Sequence, residues 1–162
     1  MINIIYLFSI YSILGWIVET VYFLIKTTKF HKRGILNGVY CPLYGFSLVI
    51  CTLLVQNNKY GAVISFLLCA LVCTSFELIT GILFDKVLNK VMWNYKNNKF
   101  NLGGYICPLF SVIWGITALS CIKILNPILL STFNSIKLIF GISVIIFMIL
   151  DLLSIITHKF KA

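Results

Sequence analysis

Apolar residues gather along this chain into long runs separated by short polar connectors. Five runs are long enough, or nearly so, to cross about 30 Å of hydrocarbon, for which roughly 20 helical residues are needed. They lie at Ile2 to Ile25, Tyr40 to Gln56, Ala62 to Phe84, Tyr105 to Ile124 and Ile136 to Thr157, and the second is the shortest. A span has to satisfy its own backbone polar groups inside lipid, so each run is predicted to be a helix. Gln56-Asn57-Asn58-Lys59 reads as a tight polar turn between the second and third runs, and Asn126-Pro127 as a break between the fourth and fifth. The first run has no basic n-region and no small-residue cleavage site, which predicts a retained first helix.

One stretch occurs twice. Leu36 to Tyr44 reads Leu-Asn-Gly-Val-Tyr-Cys-Pro-Leu-Tyr, and Leu102 to Phe110 reads Leu-Gly-Gly-Tyr-Ile-Cys-Pro-Leu-Phe, so Leu, Gly, Cys, Pro, Leu and an aromatic recur in one register. Each copy opens an apolar run and follows a run that carries one carboxylate, Glu19 in the first case and Glu77 in the second. The expected architecture is all-α: a single transmembrane domain over residues 1–162 with a parallel internal repeat. Helices one and two (2–56) match helices three and four (62–124), and a fifth helix (136–157) follows.

Composition agrees with a bilayer. The 162 residues are 60% hydrophobic, with only four acidic residues against thirteen basic ones, too little polar surface to cover a soluble globule of this size. The net charge of +9 does not point to nucleic acid, because the basic residues sit in short connectors and form neither an arm nor a basic helix. They read as topogenic charge with attraction to anionic lipid. Lys26, Lys29, Lys32 and Arg33 fill the first connector, Lys86, Lys90, Lys96 and Lys99 the third, and Lys159 and Lys161 the C-terminus; only Lys59, Lys123 and Lys137 fall on the other side. The bias predicts an outside N-terminus and a cytoplasmic C-terminus in a multi-pass protein of the cell membrane. Of the six cysteines, Cys51, Cys69, Cys73 and Cys121 lie inside apolar runs and read as thiols.

The third connector, Asp85 to Gly103, is too polar to span and too aromatic to be a bare linker. Val87, Leu88, Val91 and Met92 have helical spacing with Lys86 and Lys90 towards water, which fits an interfacial helix over Asp85 to Trp93. A belt of aromatic residues beside a helix end fits the same residues.

Glu19, Glu77 and Asp151 each lie about six residues before the cytoplasmic end of predicted helices one, three and five, or roughly 9 Å in at 1.5 Å per residue. A charged acid at a helix centre costs about 3 kcal/mol on insertion scales, so something has to offset it. In one reading the acids are structural pins, accepting the unpartnered N–H groups at the starts of helices two and four. Gly38 and Gly104 would then allow close approach, while Pro42 and Pro108 sit in first turns where a missing N–H is harmless. In the other, helix N-termini aimed at a carboxylate layer make a transport site for a cation, a proton or a polar solute. Pairing with Arg33 or a lysine is a third outcome.

Cys41 and Cys107 are symmetric thiols of a kind that can ligate soft metals, but His31 and His158 lie at connector ends without ligand spacing, so no metal and no cofactor is expected. Cys69 and Cys73, at i and i+4, read as small residues that let helices pack closely. The chain carries no P-loop, zinc-protease motif or nucleophile elbow, and it is not read as an enzyme.

The ordered motifs Tyr11-Ser12-x-Leu14-Gly15-Trp16-x-x-Glu19, Arg33-Gly34-x-Leu36-x-Gly38-x-x-Cys41-Pro42-x-Tyr44-Gly45, Glu77-x-x-Thr80-Gly81, Trp93-x-Tyr95, Asn101 to Cys107 and Ser111-x-x-Trp114-Gly115 resemble a family. It is that of the small bacterial membrane proteins grouped as ABC-transporter type IV, or CmpB-like, permeases. The resemblance runs from about Tyr11 to Gly115 and implies a permease-like membrane component. It implies a separate ATPase subunit, for which the connector with Trp93 and Tyr95 is the expected contact surface. Asn94 stands where the family's Trp-Asp-Tyr has an acid, so no contact is assigned that depends on a carboxylate there. Proline after Cys107 is often absent in the family, and here it makes the two halves more alike. Five helices are few for a translocation path, so an oligomer is expected.

Overall fold

The apolar runs fold as helices. A computed structural model describes residues 4–27, 36–56, 59–131 and 135–161. They form α1 (Ile4–Thr27), α2 (Pro42–Val55), α3 (Ala62–Leu88), α4 (Pro108–Ser120), a π-turn (Cys121–Leu125), α5 (Asn126–Leu130) and α6 (Ser135–Lys161). No strand occurs among the described residues, only an isolated bridge between Leu102 and Ile106. Four segments are long and apolar enough to cross a membrane: Ile4–Ile25, Ala62–Leu88, Pro108–Leu130 and Ser135–Thr157. α2, with 14 residues, is shorter. At 1.5 Å per residue it measures roughly 21 Å, less than the hydrocarbon thickness. The chain is a multi-pass membrane protein.

Contacts divide the chain into two units, residues 1–46 with 132–162, and residues 47–131. In the first, α1 packs on α6. The approach is close because Gly141 has no side chain: a Cβ there would lie 3.0 Å from Ile5 Cγ2. The fully buried Ser9 hydroxyl donates to the Gly141 carbonyl at 2.9 Å. In the second unit α3 packs on α4, and a Cβ on Gly115 would lie 2.8 Å from Ala70 Cβ. Small residues of this kind replace the hydrophobic effect as the means of helix association in lipid.

Two expectations are corrected. Asn126-Pro127 does not break the chain; helical structure continues through it to Leu130. Proline has no N–H, and its ring collides with the carbonyl four residues earlier in a regular helix. Here the turn before it is widened, with the Asn126 N–H bonded to the Cys121 carbonyl, five residues back. The π-turn thus makes room for the ring. It also sends the fully buried Asn126 towards α2, where its amide donates to Thr52 Oγ1 at 3.1 Å.

The second correction concerns Asp85 to Trp93, which is not an interfacial helix. α3 simply runs on to Leu88 and stops at Asn89, whose φ of 51° is left-handed. Lys90 N–H then bonds back to the Phe84 carbonyl at 3.0 Å, closing the helix end. Residues 89–95 have no helical structure, so only the first half of the proposed stretch is helical and it belongs to α3. The expected turn at Asn57-Asn58 lies outside the described residues.

Candidate functional site

Each of the three intramembrane acids has its own set of donors. Glu19 lies on the face of α1 that also carries Ser12 and Gly15. α2 is docked on this face through its first residues: the Cys41 N–H donates to the Ser12 carbonyl at 2.8 Å. Pro42, at the first helical position, has no N–H to satisfy. Tyr44 follows in the first turn, and its ring occupies the space that a side chain on Gly15 would take. Laid along α1 in this way, its hydroxyl donates to Glu19 Oε1 at 3.1 Å.

Asp151 of α6 holds the connector ahead of α2. Its carboxylate accepts from the Gly38 N–H at 2.9 Å, from the Asn37 side-chain amide at 2.9 Å and from the Tyr40 hydroxyl at 3.1 Å. The same hydroxyl lies 3.2 Å from the Phe147 carbonyl and has one proton to divide between the two acceptors. Tyr40 is buried, and this burial, followed by the hydrogen bond and charge of Asp151, pushes its phenol up to about 12. An open apolar cleft of about 390 Å³ adjoins it, lined by Ile13, Gly38, Val39, Tyr40, Val144 and Phe147.

Glu77 belongs to the second unit and is only 6% exposed. Its Oε1 accepts from the Tyr95 hydroxyl at 2.8 Å and from the Trp114 indole at 3.2 Å. Tyr95 comes from the connector and is held there at three points. Its ring stacks on Phe110 with centroids 4.4 Å apart, its N–H donates to the Gly104 carbonyl at 2.9 Å, and its hydroxyl ends on the acid. Gly104, at φ +80°, occupies a backbone conformation that L side chains rarely adopt. Its N–H is taken by Asn101 Oδ1 at 3.1 Å. Next to this set, Asp85 accepts from the Tyr105 hydroxyl. This hydrogen bond, more than burial, raises the Tyr105 phenol above its ordinary value. The Trp93 indole donates to the Tyr105 carbonyl at 2.8 Å, and both rings pass over Gly81.

The predicted residues therefore fall into groups. The structure brings together Gly38 with Asp151, and Tyr95 with Glu77. Cys41 and Cys107 directly precede α2 and α4, and Pro42 and Pro108 open them. The Cys107 side chain is buried and its sulfur accepts from the Asn98 amide at 3.3 Å. Arg33 lies outside the described residues. Among the described residues no group of three or more His, Cys, Asp or Glu side chains is arranged to hold a metal. Sequence reasoning missed Asn37, Tyr40, Tyr44, Trp114 and the Asp85–Tyr105 pair. For Tyr44 a signal existed, in the aromatic that closes both copies of the repeated stretch. Trp114 stood in the Ser111-x-x-Trp114-Gly115 motif without a partner being named, and Tyr40 had no signal, since its partner lies 111 residues away.

Neither the curated proteins nor the solved structures provide a match to this chain. One family model does match, over residues 6–157, and its description is "Putative ABC-transporter type IV". The match takes in all three acids, both Cys-Pro helix starts and the connector between α3 and α4, so the chain belongs to that family.

Proposed function

We propose that the chain is the permease-like, membrane-spanning component of a transport system, with Glu77 in one unit, and Glu19 and Asp151 in the other, as the intramembrane carboxylates that serve it. Glu77 carries the reading. A carboxylate that is 6% exposed, in a helix apolar enough to cross a membrane, is held by a connector tyrosine and an α4 indole. Acids in such positions oppose insertion and are functional candidates by default. The proposal includes α2 as a fifth, short span, an internal repeat of α1–α2 and α3–α4, and a cytoplasmic C-terminus. It also includes assembly as an oligomer with a separate ATPase subunit docked on the connector around Trp93 and Tyr95.

Glu77→Gln is the informative variant, because it keeps an acceptor for Tyr95 and Trp114 while it removes the charge. Solute flux lost in the inserted, folded variant, together with recovery of an ATPase on the tagged wild-type chain, is the expected result. Unchanged flux takes Glu77 out of the mechanism.

A second reading has an observation of its own. Asp151 accepts a backbone N–H just ahead of α2, as a structural pin does. In that case the chain is a membrane scaffold or regulator without flux, and Glu77→Gln lowers stability and partner recovery only.

A further inference from the structure

The second unit holds thiols that the carboxylate sets do not use. Cys51 of α2 is 1% exposed, and its sulfur lies 4.0 Å from that of Cys73 on α3. The Cys51 thiol also approaches the Cys69 carbonyl at 3.9 Å. Cys69 and Cys73 are one helical turn apart, so α3 presents both to the same neighbour. All are free cysteines, and 4.0 Å is about twice the ~2.05 Å of a disulfide bond.

That separation suits a bridging ion. An ion midway would lie about 2 Å from each sulfur, and a few tenths of an ångström of side-chain rotation reaches the ~2.3 Å of a metal–thiolate bond. The donor set then limits which ion. Zinc needs four ligands, and no cluster of three or more His, Cys, Asp or Glu ligands exists among the described residues. Calcium and magnesium need oxygen. A soft monovalent ion that prefers sulfur and tolerates few ligands remains. We infer that Cys51 and Cys73 form a two-coordinate site for a soft monovalent cation of the Cu(I) class.

Thiolates are the metal-binding form of cysteine, so when the ion enters both S–H bonds break, both protons leave to solvent and two metal–sulfur bonds form. The occupied site then carries one negative charge, and uptake is favoured as pH rises. The site is separate from the carboxylates and stands whether or not they serve transport.

The test uses the full-length protein in detergent, titrated with Cu(I) in competition with a chromogenic Cu(I) chelator. One ion per chain is expected, with two sulfur neighbours by X-ray absorption. Cys51→Ser and Cys73→Ser should each weaken binding more than about 100-fold, while the Cys41→Ser/Cys107→Ser double variant binds as the wild type does. Should Cys51→Ser fail to fold, the unsubstituted protein provides the second measurement. Cu(I) should protect Cys73, the more exposed thiol of the pair, from alkylation and leave Cys41 as reactive as before. Binding that survives both single substitutions, equal protection of all thiols, or no ion retained against the chelator overturns the inference and leaves the pair as close helix packing only.

Discussion

At Tyr40 a single phenol joins the connector ahead of α2 to α6. The hydroxyl contacts both Asp151 and the Phe147 carbonyl, so Tyr40→Phe removes the connector's ring-side attachment while keeping the ring. Hydrogen bonds to charged groups contribute about 1.5–3 kcal/mol, and a loss of that size is expected in denaturant unfolding of the purified protein. The same tyrosine gives a pH dependence. Its phenol is raised from 10.0 to about 12, so the folded state binds the proton more tightly than the unfolded state. Its contribution is complete below pH 10 and is lost as pH rises through about 12. Wild-type stability should fall across that window, and Tyr40→Phe should lack this component. Sequence alone singled out Asp151 as an acid within an apolar run, but not Tyr40 as its donor. Composition reveals an isolated charge; the donor that satisfies it is chosen by packing between residues 111 positions apart.

Among the elements, α3 and α4 depend on a glycine where they touch. A Cβ on Gly115 would stand 2.8 Å from both Ala70 Cβ and Phe66 Cε2. Gly115→Leu therefore has to push the two helices apart, at an overpacking cost of about 1–3 kcal/mol, and should lower the thermal midpoint of the detergent-solubilised protein. An unchanged midpoint would mean that this contact contributes little. Helix existence was legible from run length, and the starts of α2 and α4 from their Cys-Pro pairs. Helix ends were less so. Pro127 was read as a stop because the usual rule assumes a regular helix, and nothing in the local sequence announces that the preceding turn is widened. Val91 and Met92 kept helical spacing beyond Leu88, yet the chain turns at Asn89, where the left-handed conformation ends α3. Periodicity records which residues are apolar and does not by itself show where a backbone leaves the helix.

For the whole molecule, the asymmetry of Lys and Arg is the one global property that the sequence states openly. The proposed orientation predicts that an impermeant maleimide labels Lys59→Cys in intact cells and leaves Lys96→Cys unlabelled until the membrane is opened. The reverse pattern would invert the topology. Residue 96 belongs to the connector that Tyr95 fastens to Glu77, and this attachment has a mechanical side. Glu77 is eleven residues from the last residue of α3, roughly 16 Å along its axis. A load applied to residues 96–104 reaches α3 at two levels, through the Tyr95 phenol at Glu77 and through the Tyr105 phenol at Asp85, nearer the helix end. A partner docked on this connector, as proposed, would pull directly on a buried carboxylate.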